Sequence, residues 1–232
     1  MGRGSGGPRR TARARLRGVT RQLRVSRRSR DATRAQTRAI ADHSRELVAQ
    51  LRDEIGVPER PNGRAALVML MGFPGTGKTH CARLLAGRLG GAHVATDHLR
   101  SRLFVAASYA AEENRAVFSL AEALVEQLLA EGHVVVLDAT NLIADFRAPM
   151  ENIARRGGAA LVHVLVVAED VDVRARLAAR AVARADGDHS DADLGVYERM
   201  RARGFDAPER FVELRNGPDL GAEIERIAAS LS

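Results

Sequence analysis

The chain has 232 residues, 45% of them hydrophobic, enough for one α/β domain of ordinary size plus an appendage. Its longest apolar runs, 65–71 and 161–168, fall far short of the roughly 20 residues a membrane helix needs, and a single cysteine, Cys81, excludes an internal disulfide framework, so a soluble cytoplasmic protein is expected. The net charge of +7 is uneven: residues 1–62 hold 16 Arg against 6 acids, whereas residues 63–232 hold 20 basic and 23 acidic residues.

Residues 1–30 contain no acid and few large apolar groups, so self-repulsion and poor burial favour a disordered tail. Such a run offers nucleic acid or an anionic membrane surface an electrostatic partner; its Arg-rich, Ser-containing makeup equally fits a targeting segment or a plain extension. From Asp31 to Ile55 the pattern becomes amphipathic, with Ile40, Leu47, Val48, Leu51 and Ile55 recurring at helical spacing among charges. Gly56, Pro58, Pro61 and Gly63 end this helix and form a linker up to residue 62–63. Its stripe is expected to pack on the following domain, residues 63–232, or on a partner copy through residues 31–56.

Beyond Gly63 the chain alternates strands, expected at 65–71, 92–96, 133–138, 160–167 and 211–215, with helices expected at 78–90, 112–131, 145–157, 170–184 and 219–231. Apolar, Val-rich runs of this kind read as buried parallel strands. Right-handed crossovers would stack them into a five-stranded sheet covered on both faces, an α/β three-layer fold.

The first strand opens onto Gly72-Phe73-Pro74-Gly75-Thr76-Gly77-Lys78-Thr79, which fits G-x-x-x-x-G-K-[ST] at every fixed position and precedes the helical Ala82-Arg83-Leu84-Leu85-Ala86. Glycines let the backbone wrap phosphates closely, and the helix N-terminus adds partial positive charge. Gly72, Pro74, Gly75, Thr76 and Gly77 would form the wrap, Lys78 would reach the β and γ phosphates of ATP, and the Thr79 hydroxyl would hold Mg²⁺. Of 36 basic residues 35 are Arg, so Lys78 departs from the chain's own preference where a guanidinium would be too large. Cys81, three residues on, is expected to be a packed thiol.

The second strand ends in Ala95-Thr96-Asp97-His98-Leu99-Arg100. Asp97 would stand near the γ phosphate, where a carboxylate can accept a hydroxyl proton while Arg100 fixes the substrate or the transferred group. An Asp before a helical turn is equally a common N-cap. Ser101 to Arg115, with Phe104 and Tyr109, is expected to line an acceptor pocket. The third strand ends in Asp138-Ala139-Thr140-Asn141, at the edge where ligands gather in open parallel sheets, so Asp138 can accept from Mg²⁺-bound water or from Thr79. Arg176, Arg180 and Arg184 follow on one helix face, and the polar run 185–193 suits a lid over the nucleotide; a solvated helix face would look the same.

Taken in order, Gly72–Thr79, Asp97-x-x-Arg100, Asp138-Ala139-Thr140-Asn141 and Leu177-x-x-Arg180-x-x-x-Arg184 resemble the small P-loop kinases of the polynucleotide 5′-kinase and zeta-toxin-like group, over residues 65–215. The resemblance implies strand order 2-3-1-4-5, ATP and Mg²⁺ as cofactors, Asp97 as general base, Arg100 in contact with the acceptor or its phosphate, and Arg180 and Arg184 as lid arginines. Only 3% of residues are aromatic and none is Trp, which argues against a row of base-stacking platforms. A kinase acting on a small-molecule hydroxyl is the leading expectation. The alternatives are a polynucleotide 5′-hydroxyl kinase, favoured by the basic tail, and an ATP-dependent switch or scaffold without an acceptor.

Overall fold

The computed structural model describes residues 30–61, 63–104, 109–183 and 194–230. The basic segment 1–29, Arg184 and the expected lid at 185–193 lie outside the described residues. Five strands, β1 (Ala66–Met71), β2 (Ala92–Ala95), β3 (Val134–Asp138), β4 (Ala160–Val167) and β5 (Val212–Arg215), form one parallel sheet in the order β2-β3-β1-β4-β5. The order is the one the P-loop resemblance implies.

Helices α1 (Arg30–Asp42) and α2 (Ser44–Glu54) precede the sheet, and α3 (Lys78–Leu89), α4 (Thr96–Leu103), α5 (Ala111–Ala130), α6 (Ala144–Arg156), α7 (Asp170–Ala183), α8 (Leu194–Arg203) and α9 (Leu220–Ala229) connect or follow its strands. Side chains alternate across the buried strands and divide the core in two. Leu67 and Met69 of β1, with Val135 and Leu137 of β3, face α5 and α6; Ala66, Val68, Leu70 and Val136 face α3 and α9. β1 is buried along its whole length. Sequential strands proceed from β1 to one side through β2 and β3, then cross to β4 on the other, and that reversal opens a ligand crevice at the carboxyl ends beside β1.

The amphipathic segment expected as one helix is two, broken at His43. Its backbone N–H donates to Ala39 O at 3.1 Å, and its ring Nδ1 lies 2.9 Å from the same oxygen, so the last turn of α1 is closed by the residue that ends it. Ile40, Leu47, Val48 and Leu51 are buried in the same core as Leu120, Leu124 and Leu128 of α5. Burying each such side chain contributes about 1.5–3 kcal/mol relative to exposure. Gln36 Nε2 adds a 2.6 Å bond to Leu103 O at the end of α4. The stripe that the sequence left open to a partner copy is therefore consumed within the chain. No helix among the described residues is long and apolar enough to cross a membrane.

Candidate active site

β1 delivers the phosphate-binding loop at its carboxyl end. Gly75 and Gly77 hold left-handed φ angles of 82° and 91°, a region that favours glycine. A Cβ on Gly77 would lie 2.0 Å from Asn216 Nδ2, which donates to Thr76 O at 2.8 Å. Arg176 of α7 approaches Thr76 O and Gly75 O at 3.3 and 3.4 Å. Asn216 and Arg176 thus brace the loop from behind. Neither role is legible in the sequence, because both partners lie a hundred or more residues from the loop.

Within the loop, the Thr76 hydroxyl and the Lys78 ammonium both donate to Phe73 O, each at 2.9 Å. Burial pulls the Lys78 pKa below the usual lysine range, while Asp138 and Asp97 oppose that shift. Cys81 packs in the core, and burial pushes its thiol pKa up to about 11, which marks it as structural.

Strand register assembles the carboxylates. Asp138 lies opposite Leu70 of β1 on one side and Ala95 of β2 on the other. The next turn after Ala95 carries Thr96 and Asp97, and the Thr96 hydroxyl donates to Asp138 O at 3.3 Å. His93, two residues back along β2, places Nε2 3.2 Å from Asp138 Oδ2. Ala95 is the N-cap of α4 and makes no side-chain cap bond, so Asp97 stands in the first helical turn rather than at the cap. Asp97 faces the open crevice, yet the walls around its carboxyl raise its pKa, and the nearby Asp138 adds to that rise.

Asn141 closes the same edge from below. It adopts a left-handed φ of 49° and donates from Nδ2 to Leu70 O at 2.8 Å, while Gly72 N–H donates to Thr140 O at 3.1 Å. The segment after β3 is thereby fastened to the root of the phosphate loop. Arg147, almost wholly buried, donates to Asn141 O at 2.9 Å.

Arg100 sits in a different place from Asp97. Its guanidinium is 5% exposed and bonds Glu113 Oε1 at 2.7 Å and Asn114 Oδ1 at 2.8 Å, with the Tyr109 ring 4.4 Å away. These contacts join α4 to α5 and lie outside the linings of both clefts described next.

Lys78, Thr79, Asp97, Asp138, Thr140 and Arg180 converge on a cleft of about 140 Å³. A wider cleft of about 600 Å³ adjoins it, lined among others by Glu54, His80, Arg83, His93, His98 and Ser101. The two share Thr79, His80, Asp97 and Arg180. Of the expected acceptor stretch, Ser101 lines the wider cleft, Phe104 is buried in the core, and Arg115 is exposed beside Glu112. Glu54, Arg83 and His93 were not singled out from sequence. Arg83 had a signal, since it follows Thr79 by one helical turn.

Residues 67–208, more than half of the chain, match the family described as AAA domain. An uncharacterized protein of Mycobacterium tuberculosis is 31% identical over 180 residues, covering 72% of this chain and 34% of its own length, so the chain spans about a third of the curated relatives it matches. Among solved structures, Chaetomium thermophilum Kti12 in complex with ADP-AlF3 superposes with a TM-score of 0.58 at 21% identity, over 71% of this chain and 96% of that one. The Mycobacterium tuberculosis APS kinase CysC in complex with AMPPNP and APS does so with 0.53 at 19%, over 72% and 96%. The shared architecture is the three-layer α/β fold around a five-stranded parallel sheet.

Proposed function

The chain belongs to the AAA domain family, and from that premise we propose that it is an ATP- and Mg²⁺-dependent kinase that transfers the γ-phosphoryl group to a hydroxyl of a small molecule. Asp97 carries the reading, because it lines both the phosphate cleft and the wider cleft beside it. A nucleotide switch has no use for a carboxylate between its nucleotide and an open pocket. A kinase uses one to take the acceptor's proton.

The residues present suit the nucleotide and the metal. No side chain fits at Gly77, and Lys78 is held by a loop carbonyl that a phosphate oxygen can replace. The Thr79 hydroxyl and the Asp138 carboxylate are hard oxygen ligands on the same cleft, the donor type Mg²⁺ takes. Bound there, Mg²⁺ would neutralise phosphate charge. Lys78 and Arg180 would hold the transferring group in line. Asp97 would accept the hydroxyl proton as the acceptor oxygen bonds the γ-phosphorus, the bond from that phosphorus to the β,γ-bridging oxygen breaks and ADP leaves. Arg100, engaged by Glu113, would hold the helix that carries Asp97.

The deciding experiment is product analysis with γ-labelled ATP across a broad acceptor panel. A labelled acceptor supports the kinase; inorganic phosphate alone supports the switch. The concentration of 16 Arg in residues 1–62 favours a second reading, a polynucleotide 5′-hydroxyl kinase. Deleting residues 1–30 tests it: activity on a 5′-hydroxyl oligonucleotide should weaken and lose salt dependence if the tail binds the strand. A cytoplasmic location is proposed with either reading.

A further inference from the structure

The wider cleft holds charge that phosphoryl transfer does not use. Its walls come from the end of α2, from α3, from β2 and from α4, so the N-terminal helices help to build it through Glu54 and Ile55. Glu54 is paired with Arg102, Asp97 serves the reaction, and Arg180 is shared with the phosphate cleft. Arg83, exposed on α3, has no hydrogen-bond or ion-pair partner among the described residues. Around it stand His80, His93, His98 and Ser101, groups that exchange hydrogen bonds with hydroxyls. Burial holds the His98 pKa below its usual value; Glu54, 3.8 Å from Nε2, opposes that shift, and Arg102 and Arg83 assist it.

Among the described residues no Phe, Tyr or Trp lines the cleft, so they offer a nucleobase no such platform. About 600 Å³ is the size of a small-ligand site. A cation at the rim that is unpaired among the described residues attracts an anion and repels an amine. Resting on the kinase reading, the geometry points to an acceptor that is a small polyhydroxylated anion, its carboxylate or phosphate held by Arg83 while one of its hydroxyls meets Asp97. The transfer needs no further reactant: the hydroxyl proton goes to Asp97, the oxygen bonds the γ-phosphorus, and ADP leaves with the bridging oxygen.

The 232-residue chain with Mg²⁺ and γ-labelled ATP is given matched acceptors: glycerol, glycerate and glycerol 3-phosphate; glucose, gluconate, glucose 6-phosphate and glucosamine; and a 5′-hydroxyl oligonucleotide. The anionic members should exceed their neutral and amino counterparts at least about tenfold in kcat/KM, the effect of one charged hydrogen bond. The carboxylate and phosphate arms identify which anion the site takes. Arg83→Gln should remove the advantage through KM, and Arg83→Glu should turn preference toward glucosamine; ATP affinity by calorimetry verifies a folded nucleotide site in each variant. Equal use of neutral or amino acceptors, labelling of the oligonucleotide alone, or an anion preference that survives Arg83→Gln overturns the assignment. ATP consumption with no labelled acceptor in any set removes the kinase reading itself.

Discussion

His93 Nε2 lies 3.2 Å from Asp138 Oδ2, a contact made across the β2–β3 pair whose register sets Ala95 opposite Asp138. A ring fixed on one carboxylate oxygen restricts how that carboxylate can turn. If Asp138 faces the metal, His93→Ala should raise the Mg²⁺ concentration for half-maximal turnover about tenfold or more, the usual cost of losing a partner behind a ligand. His93→Gln keeps a donor and should recover much of it. A Mg²⁺ titration of turnover checks both variants, and unchanged curves would separate Asp138 from the metal.

Lys78→Ala should abolish nucleotide-dependent turnover, a loss of about 10²–10³-fold or more. Lys78→Arg should do no better, because the ammonium occupies a space inside the loop bounded by Phe73 O, and a planar guanidinium cannot take the same path. Turnover of Lys78→Arg near that of the natural protein would mean that charge alone matters at this position.

Asp97→Asn should bind ATP and lose about 10²–10⁴-fold in transfer, the span of a general base. The pH profile follows from the same carboxyl. Its walls and Asp138 raise its pKa, and a base acts only when deprotonated, so kcat/KM should fall as pH drops through a value above the roughly 3.9 of a free aspartate. The measurement is kcat/KM against pH, which reports the free enzyme. An acid limb at or below the free value would deny Asp97 the role.

Leu51→Ala removes a side chain 3% exposed at the seam between α2 and α5. Such a truncation costs about 2–5 kcal/mol. Urea unfolding should show that loss with a single transition, because the N-terminal helices share one core with the sheet. A separate early transition, or no loss, would show that α1 and α2 melt apart from the domain.

The strands and the phosphate loop are legible in the sequence because a buried parallel strand is apolar at every position and because the loop motif fixes its residues. No bound of the five strands differs from the sequence reading by more than one residue. α4 is hidden because, of the residues it buries at helical spacing, Thr96, Leu99, Arg100 and Leu103, two are polar, so no apolar period shows in the sequence. Arg100 shows the deeper limit. Three residues from Asp97 it reads as a second functional group; that Glu113 of α5 will bond it has no sign in the sequence, and only the packed helix pair reveals the bond. His93 is invisible for the same reason, since nothing in β2 says that Asp138 will lie beside it.

The seam between α2 and α5 also has a history in time. A ribosome finishes α2 at Glu54 and does not begin α5 until Ala111. At roughly 5–20 residues per second, Ile40, Leu47, Val48 and Leu51 spend several seconds on a nascent chain without the surface that will cover them. Until α5 follows, their apolar stripe is open to chaperones and to neighbouring unfinished chains.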